Sequence, residues 1–140
     1  MEYVKGIQLD DYINNETGPI PEKKLILIFS QILDAISHAH KMGLVHRDIK
    51  PANVIISNDK IKVFDFGIAK ELTTESGLTK TGVQVGTPMY MSPEQVNAEV
   101  VDMLSDIYSL GVTLFYMAVG RPPYANSNVI KMGIQIISEP

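Results

Sequence analysis

The chain has 140 residues, 45% hydrophobic and 20% charged, with a net charge of −4 and a pI near 5.3. That length and balance predict one soluble globular domain and exclude a largely disordered chain. An acidic protein lacks the basic face that non-specific nucleic-acid binding needs, and the absence of cysteine excludes disulfides and thiolate metal sites.

Glu2 follows Met1 with neither a basic nor an apolar leader, so no secretory signal is expected. Met1 to Gly6 reads as extended. Gln8 to Asn14 suits one or two helical turns, closed by Asn14-Asn15 and Thr17-Gly18-Pro19. From Pro21 onward, Leu25, Ile28, Phe29, Ile32, Leu33, Ile36 and Ala39 recur at helical spacing, and Gly43 is placed to end that helix in a left-handed cap. Val54 to Ile56 and Ile61 to Phe64 flank Ser57-Asn58-Asp59-Lys60 and predict a β-hairpin. Such a hairpin sets Asn53 and Asp65 side by side. Residues 68 to 91 lack periodicity and read as a long functional loop. Ser92, Pro93 and Gln95 carry the signature of a capped helix start. Asp106 to Val119 is apolar nearly all round, which predicts a helix buried on every side. Its apolar run is shorter than the ~18 residues a membrane span needs. Gly120-Arg121-Pro122-Pro123 stops it, and Val129 to Ile137 is the last predicted helix.

The chemistry concentrates in His46-Arg47-Asp48-Ile49-Lys50-Pro51-Ala52-Asn53, followed by Asp65-Phe66-Gly67. A base, a cation and two metal-facing oxygens suit phosphoryl transfer, where a protein mostly positions groups and neutralises charge. Asp48 is the candidate catalytic base. An ordinary carboxylate is a weak base near neutral pH, so its main role is to orient the nucleophile. Lys50 would set its ammonium against the transferring phosphate. Asn53 supplies a neutral oxygen and Asp65 an anionic one, hard donors of the kind Mg²⁺ takes. His38 and His40 face different sides of one helix, and with His46 they give no zinc-type spacing. All three histidines read as structural.

H-R-D-x-K-x-x-N followed by D-F-G resembles the catalytic core of the eukaryotic-type serine/threonine protein kinases. Gly86-Thr87-Pro88-Met89-Tyr90-Met91-Ser92-Pro93-Glu94 is similar to the family's substrate-docking loop and A-P-E motif, with Ser92 in place of Ala. The likeness covers essentially the whole chain, from the hinge to the middle of the large lobe, as a partial kinase domain over residues 1–140. It implies an α+β, mainly α fold: an incomplete protein-kinase-like large (C-terminal) lobe whose small β-hairpin carries the metal site. It also implies ATP-dependent phosphoryl transfer to Ser/Thr hydroxyls of a protein substrate, in the cytoplasm, with no nucleic-acid partner and no membrane segment in this chain.

By the same resemblance Asp48 and Lys50 are catalytic, and Asn53 and Asp65 bind Mg²⁺. ATP meets Glu2, Val4, Lys50, Asn53 and Asp65, with Met1 to Val4 as the hinge whose backbone faces adenine. Lys50 with Thr87 favours Ser/Thr over tyrosine acceptors. Arg47 before the base is typical of members regulated by loop phosphorylation, for which Thr79 and Thr81 are candidates, spaced as in bacterial members. The bland alternative is that Thr73, Thr74, Thr79 and Thr81 are solvated hydroxyls. His46 takes a packing role. Asp106 is expected to bind the backbone of the catalytic loop, which offsets the burial of its charge. Glu94 pairs in the family with an arginine much further along, for which this sequence has no counterpart.

No G-x-G-x-x-G and no V-A-x-K occurs, so the N-terminal lobe, like the last helices, is expected to be absent. Holding reactants in place contributes about 7–11 kcal/mol to lowering a barrier. The chain alone is therefore expected to be inactive and to expose apolar faces. The alternative is a non-catalytic, pseudokinase-like binding remnant, against which the intact Asp48, Lys50, Asn53 and Asp65 weigh. A small-molecule phosphotransferase of related fold would lack D-F-G and the docking segment.

Overall fold

A computed structural model describes residues 5–66, 88–124 and 128–138. A two-residue strand, β1 (Ile7–Gln8), leads into a short helix, α1 (Leu9–Asp11), which widens into a π-helical turn over Tyr12–Thr17. The strand escapes a sequence reading because two residues leave no alternation to detect. Asn14-Asn15 does not break the helix; it runs on until Gly18 donates to the Ile13 carbonyl at 2.8 Å.

The long helix α2 (Glu22–Lys41) buries Ile28, Ile32, Ile36 and Ala39 along one stripe, as its spacing predicts. Glu22 in its first turn and His38, His40 and Lys41 in its last complement the helix dipole. Gly43 and Leu44 donate to the carbonyls of His40 and Ala39 at 2.9 and 3.0 Å, the paired bonds of a Schellman cap. Gly43 takes the left-handed φ of 76° which that cap needs.

The expected hairpin forms from β2 (Val54–Ser57) and β3 (Lys60–Val63), with Val54 opposite Val63 and Ser57 opposite Lys60. Asn58 and Asp59 have φ of 48° and 63°, the two left-handed residues of a tight turn matched to strand twist. Strand β1 joins the other edge of β2 antiparallel, giving the order β1-β2-β3. Helix α2 holds the turn from below: Lys24 pairs with Asp59, and Gln31 donates to the Asp59 carbonyl and accepts from the Ile61 amide. Leu9, Ile13, Ile28, Ile32, Ile49, Val54 and Met117 form the centre of the core beneath the hairpin.

After a 3-10 turn at Pro88–Tyr90 come the single-turn helix α3 (Pro93–Val96), the buried-faced α4 (Met103–Val119) and α5 (Val129–Ser138). Asp102 caps α4 through the Leu104 amide at 2.8 Å, and Gly120 ends it at φ 77°, where a Cβ would come within 3.1 Å of Pro19. The Ile20 amide donates to the Met117 carbonyl at 2.8 Å and ties the segment before α2 to the end of α4.

The expectation that α4 is buried on every side is corrected. Ser105, Asp106, Ser109, Leu110, Val112, Thr113, Tyr116 and Met117 are buried, whereas Leu104, Ile107, Phe115 and Val119 are exposed. A run of apolar residues shows that a helix can be buried, not which of its sides has a neighbour. The described elements are mostly helical with one small antiparallel sheet, in keeping with the α+β, mainly α expectation. Among the described residues, no helix is long and apolar enough to cross a membrane.

Candidate active site

The loop from His46 to Asn53 has little regular structure of its own, and one buried carboxylate gives it shape. Asp106, in the first turn of α4, is 1% exposed. Its Oδ2 accepts from the His46 amide at 2.8 Å and lies 2.7 Å from His40 Nε2, while its Oδ1 accepts from the Arg47 amide at 2.8 Å. Those donors replace the water that a buried carboxylate loses. They also hold Arg47 at a left-handed φ of 67°, which a residue with a Cβ adopts only when its surroundings impose it. From the other side Gln95 Nε2 donates to the Arg47 carbonyl at 2.8 Å.

This fixed backbone delivers the chemistry-bearing side chains. Lys50 Nζ and Asn53 Nδ2 each lie 3.2 Å from Asp48 Oδ2, and Asn53 Nδ2 also donates to the Asp48 carbonyl at 2.8 Å. Asp48 and Lys50 remain partly open to solvent, whereas Asn53 is buried. With its nitrogen committed to Asp48, the amide oxygen of Asn53 is the atom left to face a cation. The Phe64 amide donates to the Asn53 carbonyl at 3.0 Å, so the hairpin extends one pair beyond β2 and β3. It therefore ends with Asn53 on one chain and Asp65 just past the other. Asp65 is exposed, at a left-handed φ of 57°. Among the described residues no cluster of three or more His, Asp or Glu side chains gathers around a metal position. Two hard oxygens without such a cage fit Mg²⁺, which takes its other ligands from water and phosphate.

His46 is completely buried and packs on the Phe66 ring with centroids 4.4 Å apart. Its Nδ1 accepts from the Asp48 amide at 3.2 Å, which leaves Nε2 as the protonated nitrogen donating to the Phe64 carbonyl at 3.0 Å. Burial lowers its pKa and outweighs the opposing pull of the Phe64 carbonyl and of Asp106, Asp48 and Asp65. The ring is a neutral strut between the loop and the hairpin end. His38 is exposed, whereas His40 serves Asp106.

The same motif pattern is found across a known group of proteins. A family model described as "Protein kinase domain" matches residues 1–139. The chain belongs to the protein kinase domain family. "Serine/threonine-protein kinase PknB" of Mycolicibacterium smegmatis is 41% identical over 141 residues, and its namesake in Mycobacterium leprae is 39% identical over 140 residues. "Serine/threonine-protein kinases drp72" of Corynebacterium efficiens is 42% identical over 140 residues. Each alignment takes in 99% of this chain but only 22%, 22% and 26% of the respective relative, so the chain spans about a quarter of their length or less. The resemblance to bacterial members of the kinase family is borne out.

Within this kinase-domain segment, Asp48, Lys50 and Asn53 are brought together, and Asp65 follows Phe64, whose amide bonds to Asn53. Glu2, Val4, Thr73, Thr74, Thr79, Thr81, Gly86 and Thr87 lie outside the described residues. Sequence reasoning missed the joint roles of His40 and Gln95. Gln95 was legible only as a helix cap: it accepts from the Ser92 amide at 3.0 Å while its amide nitrogen reaches the catalytic loop. The Glu94 carboxylate accepts from the Ser105 hydroxyl. Burial opposes ionisation there, but hydrogen bonds from Ser105, its own backbone and Ser92 hold its carboxyl below the usual range.

Proposed function

We propose that this segment is the catalytic part of an ATP-dependent protein kinase that phosphorylates serine and threonine hydroxyls. The observation that carries the reading is the Asp48 carboxylate, held between Lys50 Nζ and Asn53 Nδ2 at 3.2 Å each. Asp48 accepts a hydrogen bond from the substrate hydroxyl, aims its oxygen at the phosphorus and takes the proton late, as the new bond from that oxygen to phosphorus forms, the bond to the leaving phosphate breaks, and the proton becomes acidic. Lys50 sits where its charge offsets that of the moving phosphoryl group. Asn53 Oδ1 and the Asp65 carboxylate would hold Mg²⁺, which would supply positive charge to offset that of the phosphates.

The backbone of Glu2 and Val4 is assigned to adenine by family resemblance, and phosphorylation at Thr79 or Thr81 to control through Arg47. A site that consumes ATP fits a cytoplasmic location, and the net charge of −4 speaks against a nucleic-acid partner. Residues 1–140 contain no glycine-rich phosphate loop, so by themselves they are expected to show no turnover. In the full-length protein, Asp48→Asn is expected to lower kcat for phosphorylation of a Ser/Thr peptide by roughly 100-fold or more. Unchanged kcat would remove Asp48 from the chemistry.

A further inference from the structure

The peptide group between Arg47 and Asp48 is gripped at both ends by different neighbours. Its carbonyl, from Arg47, accepts from Gln95 Nε2 at 2.8 Å, and its amide, from Asp48, donates to His46 Nδ1 at 3.2 Å. A planar unit held at both ends cannot turn, so the backbone torsions on either side of it are set together. The Asp48 side chain leaves the chain directly after that unit. Its Oδ2 lies 3.2 Å from both Lys50 Nζ and Asn53 Nδ2, a placement that rotation of the peptide would undo.

Gln95 reaches this peptide from α3, 48 residues further along the chain. Its Oε1 accepts from the Ser92 amide at 3.0 Å, and its own amide lies 3.4 Å from Ser92 Oγ, the reciprocal bonds of a capping box. That cap accounts for the oxygen only. Glutamate closes a capping box as well as glutamine does, so nothing in the cap requires a nitrogen. The nitrogen goes to the Arg47 carbonyl. Turning the amide over would set its donor against the Ser92 N–H, so the two partners fix its orientation. Gln95 also lines, with Arg47, Asp48, Tyr90, Met91 and Ser109, a cavity of only about 10 Å³. That is room for one water at most, so the loop and the segment from Tyr90 to Gln95 meet with little slack.

We propose, resting on the kinase reading above, that Gln95 is a positioning residue that aims the Asp48 carboxylate through the Arg47–Asp48 peptide. The aim of the proposed base is thereby tied to the seating of α3. The test uses the full-length protein, with rates taken per folded enzyme. Gln95→Glu keeps the acceptor that caps α3 and removes the donor to Arg47. It is expected to lower kcat for a Ser/Thr peptide by about tenfold or more, with KM and the denaturant midpoint close to wild type. Gln95→Lys does the reverse, offering a donor to Arg47 and no acceptor to Ser92. It is expected to hold kcat within about threefold of wild type while the midpoint falls. In an Asp48→Asn background the carboxylate to be aimed is gone, and Gln95→Glu is expected to change kcat by less than about twofold. A purely structural Gln95 would give no such dependence on Asp48. Unchanged kcat in Gln95→Glu, equal losses in both Gln95 variants, or the same loss with and without Asp48 would each overturn the positioning role alone. Should Gln95→Glu not fold, Gln95→Lys decides: wild-type kcat supports the role and a loss of about tenfold overturns it. Failure of the wild type to phosphorylate any peptide or protein would overturn the proposed function, and this role with it.

Discussion

Helix α4 buries a mixed face, in which Leu110, Val112, Tyr116 and Met117 accompany polar groups, and exposes an apolar one. The inward face holds Ser105, Asp106, Ser109 and Thr113, while Leu104, Ile107, Phe115 and Val119 point outward. The inward polar groups hold loops in place. Asp106 fixes His46 and Arg47, Ser105 donates to Glu94, and Ser109 donates to the Tyr90 carbonyl at 2.7 Å. The loop from His46 to Asn53 and the segment from Tyr90 to Gln95 are thus built on one helical surface, so the proposed base and the proposed docking segment share a reference frame. The outward face has no such role among the described residues. Polarity inside α4 serves position, and apolarity outside it contributes little to the fold described.

The sharpest way to break this contrast is Asp106→Ala. It leaves the amides of His46 and Arg47 without their acceptor and releases the left-handed Arg47. Removing one partner from a buried charged network costs about 3–5 kcal/mol. Denaturant titration should show a loss of that size, together with loss of phosphotransfer in the full-length protein. A loss below about 1 kcal/mol would mean that the loop keeps its shape without Asp106.

A smaller effect separates His46 from the carboxylate it leans on. Its folded-state pKa is depressed below 6.5, mainly by burial, so between the two values the unfolded chain binds a proton that the folded one does not. Its stabilising contribution is complete above the unfolded value and is lost as pH falls below it. The limiting slope for one proton is about 1.4 kcal/mol per pH unit. Denaturant midpoints at about pH 7.5 and about pH 5.5 should therefore differ less in His46→Gln than in the wild type. Equal pH dependence in both would relieve His46 of the role.

The sequence carried these two regions unequally. The candidate site residues were legible because a short loop keeps them close in the chain: Asp48, Lys50 and Asn53 meet through local bonds, and Asn58-Asp59 fixes a hairpin that ends at Asn53 on one strand and just before Asp65 on the other. The Gly43 cap was legible for the same reason. What stayed hidden depends on long-range geometry. Nothing local announces that His40 and Asp106 share a hydrogen bond across α2 and α4, or that the outer nitrogen of the Gln95 cap reaches Arg47. The misreading of α4 has the same origin, since counting apolar residues around a helix does not say where its neighbours are.

The smallest expected effect tests the outer face itself. Leu104 is 70% exposed and Ile107 is 56% exposed. Neither residue is among the side chains that form the buried core. Substitutions away from packed positions usually change stability by less than about 0.5 kcal/mol. Leu104→Gln and Ile107→Gln, made singly in the full-length protein, should therefore move the denaturant midpoint little, while Asp106→Ala in the same helix moves it several-fold more. A loss of about 2 kcal/mol or more at either position has the size of a core truncation. It would mean that the outer face is covered by residues beyond those described, making α4 a two-sided core helix. Leaving both polar variants stable while Asp106→Ala unfolds the loop would instead fix the helix as a one-sided platform, held inward by its charge and hydroxyl groups.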